Sequence, residues 1–236
     1  MKNNRKRVVC ILITLCMTLS LIPATSFAAP LSTPELYAWK LYYLELFQGT
    51  VSGVNTPVFE LESPLNRIQA LVMVIRIMGL EKEALAYDGE NNFTDTPAWA
   101  WQYAAYAYKT GLTTGINPEG TLFGPDRVVT CQEFTVFLLR ALGYSEADGD
   151  FEYAGALRKA VEISLYSEAE LNLLSSGNYV RGKAVASMTS ALMTSLKGTD
   201  TLLIYSLMEK GIVTEERADD FVEVISEVGR YEYEDE

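Results

Sequence analysis

The chain has 236 residues, with 31 acidic against 19 basic side chains, a net charge of −12, three cysteines and no histidine. Such a charge repels nucleic acid and anionic lipid, and the absence of histidine excludes Ser-His-Asp and Cys-His catalysis. A hydrophobic content of 49% places the chain among globular proteins with a core of their own rather than among disordered ones.

Lys2, Arg5, Lys6 and Arg7 precede an apolar run from Val8 to Ile22, and Ser26-Phe27-Ala28 sets small residues on either side of a bulky one. This is the layout of a cleaved secretory signal over residues 1–28. Its apolar part is too short for a retained transmembrane anchor. Leu15, before Cys16, is not the small residue that lipidation requires. Cleavage leaves 15 basic against 31 acidic residues, a net of −16, and removes Cys10 and Cys16. Cys131 then has no intramolecular partner, so a disulfide framework is excluded. No second apolar span follows, and no membrane insertion is expected after cleavage.

Thr33-Pro34 reads as an N-cap followed by proline at the first helical position, opening a helix over Leu36–Leu46. Asn66 and Gln69 form a capping-box pair ahead of Ala70, Met73, Val74 and Ile77, which recur at helical spacing. Thr96-Pro97 repeats the cap-proline signal before a helix over Ala98–Lys109, and Gly111 suits its left-handed C-terminal position. Gly115, Pro118, Gly120, Gly124 and Pro125 then mark a loop. Thr130 and Glu133 form a second capping box, with Phe134, Phe137, Leu138 and Ala141 on one face. Glu146, Asp148, Asp150 and Glu152 lack the spacing of a calcium loop and read as a solvated linker. A helix over Ala154–Ile163 follows. Ala184, Ser187, Met188 and Ala191 are smaller and more polar than their counterparts, which predicts looser packing. The last predicted helix, Thr201–Lys210, ends at Gly211, and residues 215–236 read as an acidic tail.

These elements repeat. Residues 59–80 align without a gap on 123–144, pairing Phe59 with Phe123, Arg76 with Arg140 and Gly79 with Gly143; Leu46 and Gly49 pair with Leu112 and Gly115. A fainter third copy places Arg181 at the Arg67 position and Leu165 at the Leu112 position. Three copies of one helix-loop-helix unit are predicted, with boundaries at 29–90, 91–147 and 148–214, the last including a closing helix.

The order "FTDTPAWAWQYAAYAYKTGLTTG…TLFGPDRVVTCQEF…LLRALG" resembles the S-layer homology repeat, whose pattern runs Phe-x-Asp, a Trp-Ala helix, Gly-Ile-x-x-Gly, Phe-x-Pro and Thr-Arg-Ala-Glu. The resemblance covers the chain after the signal, closest in the second copy and faintest in the third. It implies an all-α, pseudo-threefold helical bundle, secreted and retained at the cell wall or S-layer of a Gram-positive-type envelope. There the grooves between units bind an acidic, pyruvylated secondary cell-wall polysaccharide without a covalent bond, a metal or a cofactor. Carried onto matching positions, it implies a glycan-binding set of Asn66, Arg67, Gln69, Trp99, Trp101, Gly115, Thr130, Gln132, Glu133 and Arg181. Cys131 stands where the family has its arginine. Asp95 matches the aspartate of Phe-x-Asp, and its turn role is favoured over ligand contact.

A physical argument independent of the family meets this at two positions. Arginine in the first turn of a helix opposes the helix dipole, yet Arg67 and Arg181 directly follow their expected caps. Free amides beside a guanidinium fork make a carboxylate site. The competing reading is that each arginine pairs with an acid such as Glu62 or lies in solvent. Trp39, Trp99 and Trp101 are expected in the core, except that one of the second unit's pair faces sugar. No enzyme is expected; two facing carboxylates across a deep cleft would be needed to revive that reading. The alternative to glycan anchoring is a degenerate scaffold that assembles other surface proteins, since Asn-Arg-Ile-Gln, Thr-Cys-Gln-Glu and Val-Arg-Gly-Lys each depart from the family motif.

Overall fold

The computed structural model describes residues 33–50 and 56–229; the secretory signal expected over 1–28 lies outside them. Among the described residues there are ten α-helices: α1 (Thr33–Tyr43), α2 (Arg67–Ile77), α3 (Glu81–Leu85), α4 (Trp101–Lys109), α5 (Cys131–Ala141), α6 (Ala156–Glu162), α7 (Glu168–Ser175), α8 (Arg181–Leu192), α9 (Leu203–Glu209) and α10 (Glu215–Val228). Single 3₁₀ turns over Ala98–Ala100 and Tyr153–Gly155 lead into α4 and α6. Among the described residues there is no strand, only three isolated antiparallel bridges, two of which join the segments before the long helices: Asn66 to Val128 and Pro64 to Val180.

The long helices α2, α5 and α8, one from each unit, pack on one another pairwise at the centre. Each unit's first helix lies on the long helix of the unit before it: α4 on α2, α6 on α5, and α1 on α8. This last contact closes the ring and gives the bundle a pseudo-threefold arrangement. Local chemistry sets the helix starts. Both expected capping boxes form: Asn66 Oδ1 accepts from Gln69 N at 2.9 Å, and Thr130 Oγ1 accepts from Glu133 N at 3.1 Å, each returned by the third residue's side chain. Val180 supplies no side-chain cap to α8.

Several expectations need correction. Helix α1 includes Thr33 and stops before the expected Leu46, because Glu45 takes a left-handed φ of 63° and the Leu46 and Phe47 amides both return to Leu41 O. Thr96 does not cap a helix; its hydroxyl accepts from Asn91 Nδ2 at 2.9 Å, and the chain enters α4 through Pro97 and the 3₁₀ turn. Helix α8 is enclosed on all sides, with every residue from Ala184 to Leu192 buried. Its small side chains let α1 come close, and its two serine hydroxyls find partners inside, Ser187 Oγ with Tyr179 OH at 3.0 Å and Ser190 Oγ to Glu170 Oε1 at 3.0 Å, while Thr189 Oγ1 is buried without one.

Three helices were absent from the sequence reading: the five-residue α3, α7 and α10. Helix α7 starts on its own capping box, Ser167 with Glu170. Residues 215–228, expected as the start of an acidic tail, form α10: Ala218, Phe221 and Ile225 share one buried face against α9, and the six acids point outward. Helix α10 also binds α1 through Lys40 Nζ to Asp220 at 2.8 Å, Arg217 to Glu45 at 2.8 Å, and Tyr37 OH to Gly229 O at 3.0 Å.

Candidate functional site

The starts of the long helices are where units meet. On α2, the first two amides are covered by carbonyls of the second unit's loop: Arg67 N donates to Arg127 O at 2.8 Å and Ile68 N to Pro125 O at 3.1 Å. On α8 the same pattern recurs with the first unit's loop, Arg181 N to Ser63 O at 3.0 Å and Gly182 N to Leu61 O at 2.7 Å. Ser63 and Leu61 are the repeat equivalents of Arg127 and Pro125. The corresponding residues of the third unit would be Gly177 and Ser175, but that stretch has folded into and just past α7. Among the described residues, no carbonyl therefore covers the Cys131 and Gln132 amides at the start of α5. Orphan amides at a helix N-terminus carry partial positive charge.

Side chains follow the same cyclic rule. Arg67 reaches into the second unit, where its guanidinium carbon lies 4.9 Å from the Phe137 ring centroid and 5.2 Å from that of Phe123. Its Nη2 donates to Thr113 Oγ1 at 3.4 Å, and Nη1 is 3.5 Å from Glu133 Oε1. Only 7% of the residue is exposed, and Nε is buried with no acceptor. Burial pushes the guanidinium below its ordinary value, with Glu133 opposing that shift. Arg181 reaches likewise into the first unit, its Nε donating to Phe59 O at 3.0 Å over the Phe47 ring. Neither arginine lies in solvent or pairs with Glu62, and neither presents an open fork.

Glu133 joins the parts. Its Oε2 accepts from Thr130 N at 3.0 Å, while Oε1 accepts from Arg127 Nη2 at 3.0 Å and faces Arg67. The Arg127 side chain is 51% exposed, which makes it the solvent-facing cation of this cluster. Sequence reasoning missed it; the available signal was a basic residue three positions before the Thr130 cap. Thr113 Oγ1 also accepts from Gly115 N at 3.2 Å. Gly115 holds φ 87°, and a Cβ there would stand 2.7 Å from Leu122 O, so only glycine fits this loop. Gln132 Nε2 donates to Tyr153 O at 2.8 Å beside the half-exposed Tyr153 ring.

Of the residues expected to bind glycan, the structure thus gathers Arg67, Gly115, Thr130, Gln132 and Glu133. Asn66 and Gln69 cap α2 next to them. Arg181 lies at another interface. Trp99 is exposed, while Trp101 is partly buried with its carbonyl accepting from Asn91. Asp95 pins the loop, accepting from Phe123 N and Gly124 N at 2.8 Å each. In the acidic stretch, Glu146 chelates Arg140 and Asp150 accepts from Lys197 Nζ. Among the described residues, no group of three or more Cys, Asp or Glu is placed to hold a metal ion, and no helix is long and apolar enough to cross a membrane.

Cys131, where the family pattern has arginine, is buried beneath this surface, and burial pushes its thiol up to about 11. Since the thiolate is the reacting form, iodoacetamide at pH 8 should label Cys131 at least about a hundredfold more slowly in the folded protein than in denaturant. Peptide mapping after timed quenching reads this directly, and equal rates would place the thiol at the surface.

No family model matches the chain. It is 30% identical over 201 residues to a cell surface protein of Thermoanaerobacter kivui, covering 80% of this chain and 25% of that protein. It is also 30% identical over 146 residues to an endoglucanase of Bacillus sp. (strain KSM-635), covering 58% of this chain and 15% of that protein. The chain spans a quarter or less of the length of these relatives.

Proposed function

We propose that the chain is a divergent S-layer homology module. In this reading it is exported through its first 28 residues and holds an acidic cell-wall polysaccharide non-covalently at the cell surface, without catalysis. The observation that carries this reading is the start of α5, where the uncovered amides of Cys131 and Gln132 adjoin Arg127, a half-exposed guanidinium. A carboxylate on the glycan, such as a pyruvyl group, is matched by that pairing of backbone donors and planar fork, and the Tyr153 ring offers a face for the sugar. The similarity to part of a cell surface protein supports the same location, and an all-helical bundle with its units joined at the helix starts suits a binding module. Arg67 contributes from beneath, holding Glu133 and the Thr113–Gly115 loop in place.

Co-sedimentation with purified wall polysaccharide, with and without its acidic substituents, tests the proposal. Retention on the acidic form alone is expected, falling as salt rises. One charge-assisted hydrogen bond contributes about 1.5–3 kcal/mol, so Arg127→Ala should weaken binding about ten- to a hundredfold with the fold intact. Equal retention on both forms, or none on either, would overturn the anion site; the latter would leave the protein-assembly scaffold as the reading to pursue.

A further inference from the structure

A second recess lies at the other end of α2. Its volume is about 540 Å³, and it opens between the end of α1 and its following loop, the end of α2, the start of α3 and the turn from α9 into α10. Arg67 and Arg76 are nine residues apart on α2, so the recess is about 14 Å from the groove at α5 along the helix axis. A cavity of a few hundred cubic ångströms is the size that encloses small ligands.

Its wall differs in charge from the rest of the chain. The protein carries a net of −12, yet Arg76, Lys82 and Arg217 line this recess against Glu45 and Glu81, an excess of one positive charge. Arg76 is tied to Glu81 at 2.8 Å, and Arg217 to Glu45 at 2.8 Å across two exposed side chains. Lys82 is exposed, and among the described residues no carboxylate lies within ion-pair distance of it. Tyr42 and Tyr43, 38% and 61% exposed, flank these cations; Tyr43 stacks on Trp39 with ring centroids 5.8 Å apart, which fixes its orientation. An uncommitted ammonium, a weakly held guanidinium and preset aromatic faces match a ligand that combines a ring with a negative charge.

We infer that the recess between the first unit and the α9–α10 turn is a separate binding site for an acidic saccharide, with Lys82 and Arg217 contacting the carboxylate and Tyr43 the sugar ring. The inference takes the proposed function only as its reason for choosing a sugar acid as ligand; the site itself shares no lining residue with the groove at α5. In the test, the intact protein is titrated calorimetrically with digalacturonic acid and with its neutral carboxyl-reduced counterpart. Saturable binding of the charged disaccharide is expected to persist in Arg127→Ala, where the α5 groove is weakened, and in that background to be at least tenfold weaker for the neutral disaccharide and at least tenfold weaker when Lys82→Ala or Tyr43→Ala is added. Absence of saturable binding, equal affinity for both disaccharides, or unchanged affinity when Lys82→Ala and Tyr43→Ala are added would each overturn it. Loss in Arg127→Ala alone would assign the binding to the α5 groove instead. Failure at this recess leaves the wall-polysaccharide experiment with Arg127→Ala independent.

Discussion

Replacing Glu133 by alanine is expected to destabilise the fold by about 3–5 kcal/mol, the range for removing one partner of a buried ion pair. Loss of a capping box alone would cost about 0.5–2 kcal/mol, and a local reading of Thr130-x-x-Glu133 would stop there. The larger value follows from Arg67, whose side chain is 8% exposed and whose nearest carboxylate is Glu133 Oε1 at 3.5 Å. Without that charge the guanidinium stays buried between two phenylalanine rings, uncompensated. Denaturant unfolding of the alanine variant beside Glu133→Gln separates the two contributions. Glutamine keeps an acceptor for Thr130 N–H but not the charge, and should fall between wild type and alanine. An alanine variant that loses no more than the capping contribution would mean that the Arg67 contact adds nothing.

The second large effect is expected at Phe221, which is fully buried on the inner face of α10. Phe221→Ala should cost about 3–5 kcal/mol through lost burial and the cavity left behind. The loss should appear first as amide exchange along residues 215–228, because α10 rests on the bundle through one apolar stripe and a few exposed polar contacts. An acidic tail with no tertiary role would show no change in either measurement.

The features legible in the sequence were those encoded within a few residues. Thr130 with Glu133, and Asn66 with Gln69, are three apart, and Gly111 and Gly211 sit two residues past the last helical residues with φ 76° and 69°. The 64-residue repeat offset also relates contacts seen only in the structure: the carbonyls of Arg127 and Pro125 that cover α2 match those of Ser63 and Leu61 that cover α8. Helix α10 went unread because six acids within Glu215–Val228 dominated the composition, although Ala218, Phe221 and Ile225 already stood at helical spacing. Helix α7 was equally visible in Ser167-x-x-Glu170, but lay where the repeat pattern called for a loop. The site was harder to read for a different reason. Arg67 faces an acid 66 positions away, and Arg127 gains its role only when the second unit's loop folds against α2. No short-range pattern carries pairings across units.

The contacts between α1 and α10 have a mechanical consequence. Tyr37, Lys40 and Glu45 meet Gly229, Asp220 and Arg217 in that order, so the two helices run antiparallel, and the start of one lies beside the end of the other. Tension applied through both ends of the described chain pulls at this shared end and peels the contacts apart singly, beginning at Tyr37 and Gly229, instead of loading them together in shear. Helix α10 is therefore the element that yields first under such a load, while the ring of three units, closed by α1 on the enclosed helix α8, stays assembled behind it.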